Sequence, residues 1–569
     1  MVFHENEPNH SYLFLRLINV STTDMSQKLI CSATATLIGF VLWKIGKHVV
    51  HQLTSPLRNI NGPKSTSWLF GNVRDVFKSE EMVLLEEWAQ EYGQTLKYYG
   101  PLNEFSLFTM DLRALNHILT HSMDYQKPKP IRYFLAEIIG NKGVVCVEGP
   151  QHRQQRRIMN PAFGPGQMRD LTEIILTKSI KLRDILMLES KDEERNPKRT
   201  DILGWMTRVS LDVIGLAGFN YEFNSLDTSV KKNEINEAIG MIVSAGIAGD
   251  VLSMLQLWLP PLRAIPTDLG RKITVAQQAM ERIGRELLRD AKAAVMASQR
   301  DEKKGIVEKR SVQGRDLLSL LVRANMATDI PDNQKLSDEE VLAQVPTFLV
   351  TGHETTSAAM TWALFALTQH PEVQAKLRQE LITVESETPS MDELLALPYL
   401  DGVVREALRV HPPVPCTIRV AMKDDILPLD TPITDNNGKV LTEIKVRKGD
   451  YIAVPILAIN RSEAIWGPDA KEFKPERWES PPENASNIPG VWGHLLTFIG
   501  GPRACVAYRF ALIEMKALLF TLVRNFEFEL AVPAGDIVMR AEMVQHPFLR
   551  SEPGGNSQMP LFIKPYHRA

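Results

Sequence analysis

Residues Phe498 to Ala507 read F-I-G-G-P-R-A-C-V-A, and an amphipathic run from Tyr508 to about Asn525 follows directly. Two glycines and a proline predict a tight turn that feeds a helix, which puts Cys505 at the helix start. There the sulfur meets backbone N–H groups and the positive end of the helix dipole, and both favour the thiolate. A thiolate is the form that a soft iron ligand takes. A lone cysteine before a helix is ordinarily a small buried hydrophobe, but the flanking glycines, Phe498 and Arg503 point to a ligand loop. The other cysteines, Cys31, Cys146 and Cys416, are far apart and make no C-x-x-C pair. Neither a disulfide scaffold nor a zinc ribbon fits that spacing.

The rest of the chain frames this loop with helices. Leu171, Ile174, Ile175, Leu182, Ile185 and Leu186 form one apolar stripe at helical spacing, and Val341 to His370 is a second, longer candidate. The longer one opens on S-D-E-E at Ser337 to Glu340, a capping-box pattern, and stops before Pro371, with a kink expected at Pro346. Charged stretches at Ser190 to Arg199 and Arg300 to Arg315 read as solvated loops. Strand-like runs occur near Thr417 to Val420 and Asp450 to Ile456, with a turn at D-N-N-G, Asp435 to Gly438. The class is mainly α with small β-sheets. The formal net charge is -3 over 569 residues with the signs mixed, so no basic footprint for nucleic acid is present. No repeat of solenoid length occurs.

Leu29 to Trp43 is apolar or small throughout, and Ile45 and Gly46 extend it past Lys44, a length sufficient for a membrane span. A polar leader precedes it and no small-residue cleavage site follows, which argues against a signal peptide. Lys44, Lys47, His48, His51 and Arg58 crowd its C-terminal side, so the positive-inside rule puts the body in the cytosol. The expected organisation is a luminal leader at 1–28, a transmembrane helix at 29–46, a linker at 47–61 and a catalytic body at 62–569. In that orientation the sequons at Asn9 and Asn19 face the lumen.

The cysteine loop resembles the haem loop of the cytochrome P450 family, whose Phe, Gly, Arg and Cys fall at the spacings of Phe498, Gly501, Arg503 and Cys505. Three further motifs match in order. Glu406-Ala-Leu-Arg409 with Pro475-Glu476-Arg477-Trp478 resembles the family's E-x-x-R and P-E-R-F pair. Phe348 to Thr356, F-L-V-T-G-H-E-T-T, resembles the distal oxygen-binding motif, in a form shared with membrane-anchored fungal members. His152 and Arg156 resemble the helix that binds a haem propionate, with His152 where the family has Trp. Arg419 matches another propionate position. Ala507 for Gly, Trp478 for Phe and Thr351 for Ala or Gly are the other departures.

The resemblance implies a cytochrome P450 fold in one large catalytic domain over residues 62–569, with haem b held by an axial cysteine thiolate. It implies that Cys505 ligates the iron, that Phe498 packs near the thiolate, and that Arg503, Arg156, His152 and Arg419 meet propionates. Glu406, Arg409 and Arg477 would form a buried charge network. Gly352 would leave a groove against the haem, with Glu354 and Thr355 relaying protons to dioxygen. The implied activity is monooxygenation of a lipophilic small molecule, for example a terpenoid, fatty acid, sterol or xenobiotic. No dinucleotide or flavin motif occurs, so NADPH electrons would come through a separate cytochrome reductase in the same membrane. That membrane is expected to be the endoplasmic reticulum, spanned once. The apolar stretch Ile247 to Leu262 would be a lid that touches lipid and admits substrate. An oxygen-independent isomerase or dehydratase and a non-enzymatic haem sensor are the alternatives; intact Glu354 and Thr355, and the lack of a visible output domain, argue against them.

Overall fold

The computed structural model describes residues 46–191, 198–227, 251–303, 316–326, 335–541 and 544–567, with positions 32, 36, 39 and 42–44 near the N-terminus. The chain divides into two units, Met1–Arg58 and Asn59–Ala569. In the first, the described residues from 42 to 54 are helical. The expected leader, both sequons and most of the expected span lie outside the described residues. Among the described residues the helix long and apolar enough to cross a membrane is Ile202–Phe219, and it is mostly buried.

The second unit is mainly helical. The helices that position the site are α1 (Lys129–Ile139), α2 (Gly149–Met159), α3 (Pro165–Lys191), α4 (Ile202–Phe219), α5 (Val251–Trp258), α6 (Asp268–Lys303), α7 (Asp338–Leu342), α8 (Gln344–Gln369), α9 (Pro398–Val410) and α10 (Tyr508–Asn525). Helix α4 packs along α8, and α3 along α10. The approach of α4 to α8 depends on Gly352, where a Cβ would lie 3.0 Å from Ile214 Cγ1. Gly352 therefore serves helix packing against α4.

The strands are β1 (Thr95–Tyr99), β2 (Phe105–Thr109), β3 (Tyr125–Gln126), β4 (Thr200–Asp201), β5 (Thr417–Ala421), β6 (Asp425–Thr434), β7 (Val440–Val446), β8 (Tyr451–Val454), β9 (Phe526–Leu530), β10 (Ile537–Ala541), β11 (Gln545–Leu549) and β12 (Pro560–Pro565). Five form a sheet in the order β1-β2-β8-β5-β3, with β2 and β8 parallel. Its β5 carries Arg419 into the interior. Strands β4, β12 and β9 make a second sheet, and β6-β7 and β10-β11 are hairpins. The β6-β7 turn forms at the D-N-N-G run: the Asp435 carboxylate accepts the Asn437 and Lys439 N–H groups, and Gly438 takes a left-handed φ of 78°.

Three element boundaries differ from those read in the sequence. The capping box at Ser337 and Glu340 is present, yet the long helix divides at Ala343 into α7 and α8. Pro346 has no N–H for the Leu342 carbonyl, so the ladder lapses just before it. Arg300 to Lys303 and Ser190 to Lys191, expected in loops, complete α6 and α3, and the remainder of those stretches lies mostly outside the described residues. Helix α10 is buried on nearly every face, because other helices enclose it, whereas its sequence suggested one wet side.

Candidate active site

The cysteine loop is a set of backbone bonds that leaves little freedom. Cys505 N–H donates to the Phe498 carbonyl at 2.9 Å and Ala504 N–H to Gly501 at 3.0 Å. Gly501 has a φ of 68°, and a Cβ there would sit 2.2 Å from the Leu119 carbonyl oxygen, so only glycine fits. The Phe498 ring lies 6.0 Å from Tyr508 and 5.9 Å from Trp492. The Cys505 side chain is solvent-accessible. Burial raises its thiol pKa, while the Ala507 N–H and Arg156 lower it; burial wins.

Basic side chains from separate parts of the chain gather beside this loop. Arg156 of α2 donates through Nη1 to the Ala504 carbonyl at 2.6 Å. Arg503 donates to the Val147 carbonyl at 2.8 Å and pairs with Glu148. Arg419 is buried, its Nη1 engaged with Thr417 Oγ1 and the Ile418 carbonyl, both at 3.0 Å. Lys127 Nζ donates to the Val145 carbonyl at 3.2 Å. Arg132 Nε is buried without an acceptor. Burial moves both Arg419 and Arg503 down to about 10. Lys127 falls well below its usual range, through burial and then the charges of Arg419 and Arg503. His152, buried beside Lys127 and Arg156, drops to about 4, chiefly by burial, and is neutral at physiological pH.

Among the described residues the carboxylate bonded within this group is Glu148, so positive charge is in excess there. Cations crowded out of water in this way call for an anionic partner. The two propionates of a haem would suit that need. Sequence reading passed over Lys127 and Arg132, which carry no motif; only the fold brings the Lys127-Pro-Lys-Pro130 segment against the cysteine loop.

Behind the loop, Glu406 and Arg409 are fully buried on α9. The Arg409 guanidinium donates to both Glu406 oxygens, at 2.9 and 2.8 Å. It also reaches the carbonyls of Asn460, Ala470 and Glu472. Arg477 Nε donates to Glu406 Oε1 at 3.2 Å and its Nη1 to Asp469 at 2.7 Å. Trp478 adds a bond that the more usual Phe lacks: its indole N–H donates to Glu406 Oε2 at 3.0 Å.

On α8, Thr347, Thr351 and Thr355 each donate a hydroxyl to the carbonyl four residues back, giving a ladder along one side. With its proton given to the Thr351 carbonyl at 2.8 Å, Thr355 Oγ1 keeps lone pairs to accept from a water or ligand. Thr351 is half-buried and part of the same ladder. Glu354 is buried, with His546 Nε2 at 2.7 Å and His353 Nε2 at 3.3 Å from its two oxygens. Burial raises the Glu354 carboxyl, but the two histidines outweigh it and hold the group well below the ordinary carboxylate range. His546 lies on β11, far along the chain, and no local pattern marks it.

The described part of the expected lid is α5 and the turn after it. Trp258 lies 5.9 Å from the Tyr451 ring, and Arg263 stacks over Tyr133 of α1 at 3.5 Å. Pro260 and Pro261 are exposed.

The chain is similar to known proteins over most of its length. The cytochrome P450 family model matches residues 61–547. A protein of the fungus Postia placenta named cytochrome P450 monooxygenase 205 is 54% identical over 532 residues, 93% of this chain and 97% of that protein. Cytochrome P450 monooxygenase 128 of the same fungus is 49% identical, over 94% of this chain and 98% of its own length. Cytochrome P450 monooxygenase claO of Ampulloclitocybe clavipes is 37% identical, over 85% and 88%. With a match over most of its length and relatives this similar, the chain belongs to the cytochrome P450 family.

Proposed function

We propose that this protein is a haem-thiolate monooxygenase in which Cys505 ligates the iron. One oxygen atom of dioxygen enters a lipophilic small molecule and the other leaves as water, at the expense of two electrons and two protons. The observation that carries this reading is the convergence on one loop of an accessible cysteine sulfur and a buried surplus of cations. The haem, when bound, supplies the activation of dioxygen, and electron donation from a thiolate favours O–O cleavage.

The protein's own residues do the rest. Lys127, Arg419, Arg503 and Arg156 neutralise the propionates, and neutral His152 can donate a hydrogen bond there. Arg156 also holds the Ala504 carbonyl, which fixes the sulfur's position. Glu354 carries a proton toward the distal side, and Thr355 Oγ1 accepts from the water that passes it on. Electrons from NADPH would arrive through a separate reductase. A cleft of about 730 Å³ lined by Arg153, Arg156, Arg157 and Arg503 is a basic face suited to an acidic partner. Exposed Leu42, Trp43, Val49, Val50 and Leu53 in the N-terminal unit support a single membrane anchor. A helix of this kind with a cytosolic body fits the endoplasmic reticulum, and the apolar α5 segment fits a membrane-facing substrate lid.

The deciding measurement is the carbon monoxide difference spectrum of the reduced protein. A thiolate-type Soret shift is expected, and its loss in Cys505→His with haem retained. A folded haem protein without that shift would rule the ligand out.

A further inference from the structure

The C-terminal hairpin reaches the middle of α8 through one side chain. His546 of β11 places Nε2 2.7 Å from Glu354 Oε1, and both side chains are almost fully buried. The other neighbour of the carboxylate is His353, also fully buried. His353 Nδ1 lies 2.6 Å from the Leu349 carbonyl oxygen. A carbonyl only accepts, so that nitrogen bears the proton. A neutral His353 would then turn a lone pair toward Glu354, and only its imidazolium could donate. A neutral His546 with its proton on Nε2 donates without that requirement.

Two further bonds secure the same hairpin. The Gln545 carbonyl accepts the Trp362 indole N–H at 2.9 Å, two turns further along α8. Gln545 N–H donates to the Pro413 carbonyl at 2.8 Å. Strand β11 pairs in register with β10, with Arg540 opposite His546. The imidazole is therefore delivered from a braced support, and Glu354 cannot choose its own rotamer freely.

We propose that His546 is a positioning residue that fixes the Glu354 carboxylate through an Nε2–H···O bond, so that the C-terminal hairpin sets where the proton-carrying group of α8 stands. This rests on the reading of Glu354 as a proton carrier given above. His546 touches neither substrate nor haem in this role; it acts through Glu354. A bond from a neutral donor to a buried carboxylate also keeps that carboxylate ionised while it waits for a proton.

The test compares two amides of different reach in the haem-loaded enzyme with its reductase. His546→Gln keeps an N–H donor at the distance of Nε2, whereas His546→Asn withdraws it to about the distance of Nδ1. Product formed per NADPH consumed is expected to fall about tenfold in His546→Asn and to stay near the wild-type value in His546→Gln, the scale being that of one hydrogen bond to a charged group. Adding His546→Asn to Glu354→Gln should cause no further loss. Amide hydrogen exchange over residues 545–549 of the resting haem protein supplies a readout independent of turnover. Exchange should quicken in His546→Asn and in Glu354→Leu, whose side chain accepts no hydrogen bond, and no further when those two are combined. Additive effects on both readouts would overturn the proposal. So would full coupling in His546→Asn while Glu354→Gln is uncoupled, and that outcome leaves the role of Glu354 intact. If Glu354→Gln itself stays coupled, the reading of Glu354 fails and the positioning role fails with it.

Discussion

Thr355 and Glu406 show two ways in which one side chain constrains this enzyme. Thr355 has spent its only proton on the Thr351 carbonyl, so it acts as an acceptor. Thr355→Ala should leave folding and haem content unchanged, because a helix accepts Ala readily. Product per NADPH should fall while hydrogen peroxide rises, by a factor up to about 10² if water substitutes poorly. Parallel assays of product, NADPH and peroxide check this, and an unchanged ratio would remove Thr355 from the proton path. Glu406 is a different case, since it accepts from Arg409, Lys474 N–H, Arg477 and Trp478 at once. Glu406→Ala leaves the buried Arg409 guanidinium without a carboxylate and Arg477 with Asp469 alone, at about 3–5 kcal/mol. Haem absorbance and thermal unfolding of the variant report it, and normal values for both would mean that the network is dispensable. The Glu406 and Arg409 pair was legible because three-residue spacing on a helix is a local fact. His546 and Lys127 were not, because each becomes meaningful only when a distant segment folds against it.

Among the elements, α10 carries an unused acid. Glu514 is fully buried between helices, and burial raises its carboxyl to about 8, with Ser210 of α4 lowering it in part. The folded state thus holds a proton that the unfolded chain releases near its ordinary pKa. Between those values the native state binds more protons, so stability falls as pH rises from about 4.5 to about 8. Glu514→Gln removes that slope: its melting temperature should exceed wild type at pH 8 and match it near pH 4.5. Equal melting curves at pH 8 would show that the acid is satisfied as an ion. Helix α2 makes a second element-scale expectation, since Arg153 and Arg157 are exposed on it while His152 is buried. Reversing both arginines to Glu should slow reduction by the partner at low salt, and the difference should shrink as salt rises. Stopped-flow reduction across a salt series tests it, with identical rates counting against this docking face. Helix α10 was legible in extent but not in environment. Its charged residues suggested a wet face, whereas Lys516 finds Asp401 of α9 at 2.8 Å inside the protein.

At the scale of the whole molecule, the two units invite separation. Deleting residues 1–52 should release the body from membranes in part, with residual binding through the apolar α5 segment. Fractionation with carbonate washing measures this, and undiminished pelleting of the truncated protein would contradict a single anchor. The mainly helical class and the order of motifs were legible because they are repeated local patterns. The five-stranded sheet was not, because its order is set by partners from opposite ends of the chain. Ser106 lies beside Tyr451, and Tyr125 beside Ala421. That pairing fixes a timetable for biosynthesis. As the polypeptide leaves the ribosome, β1 and β2 emerge early and must wait, one edge unpaired, until β5 and β8 appear. Lys127 and Arg156 are likewise made long before Arg419 and Cys505. Nascent chains therefore spend most of synthesis with an open strand edge, and these four residues first share one folded body at its closing stage.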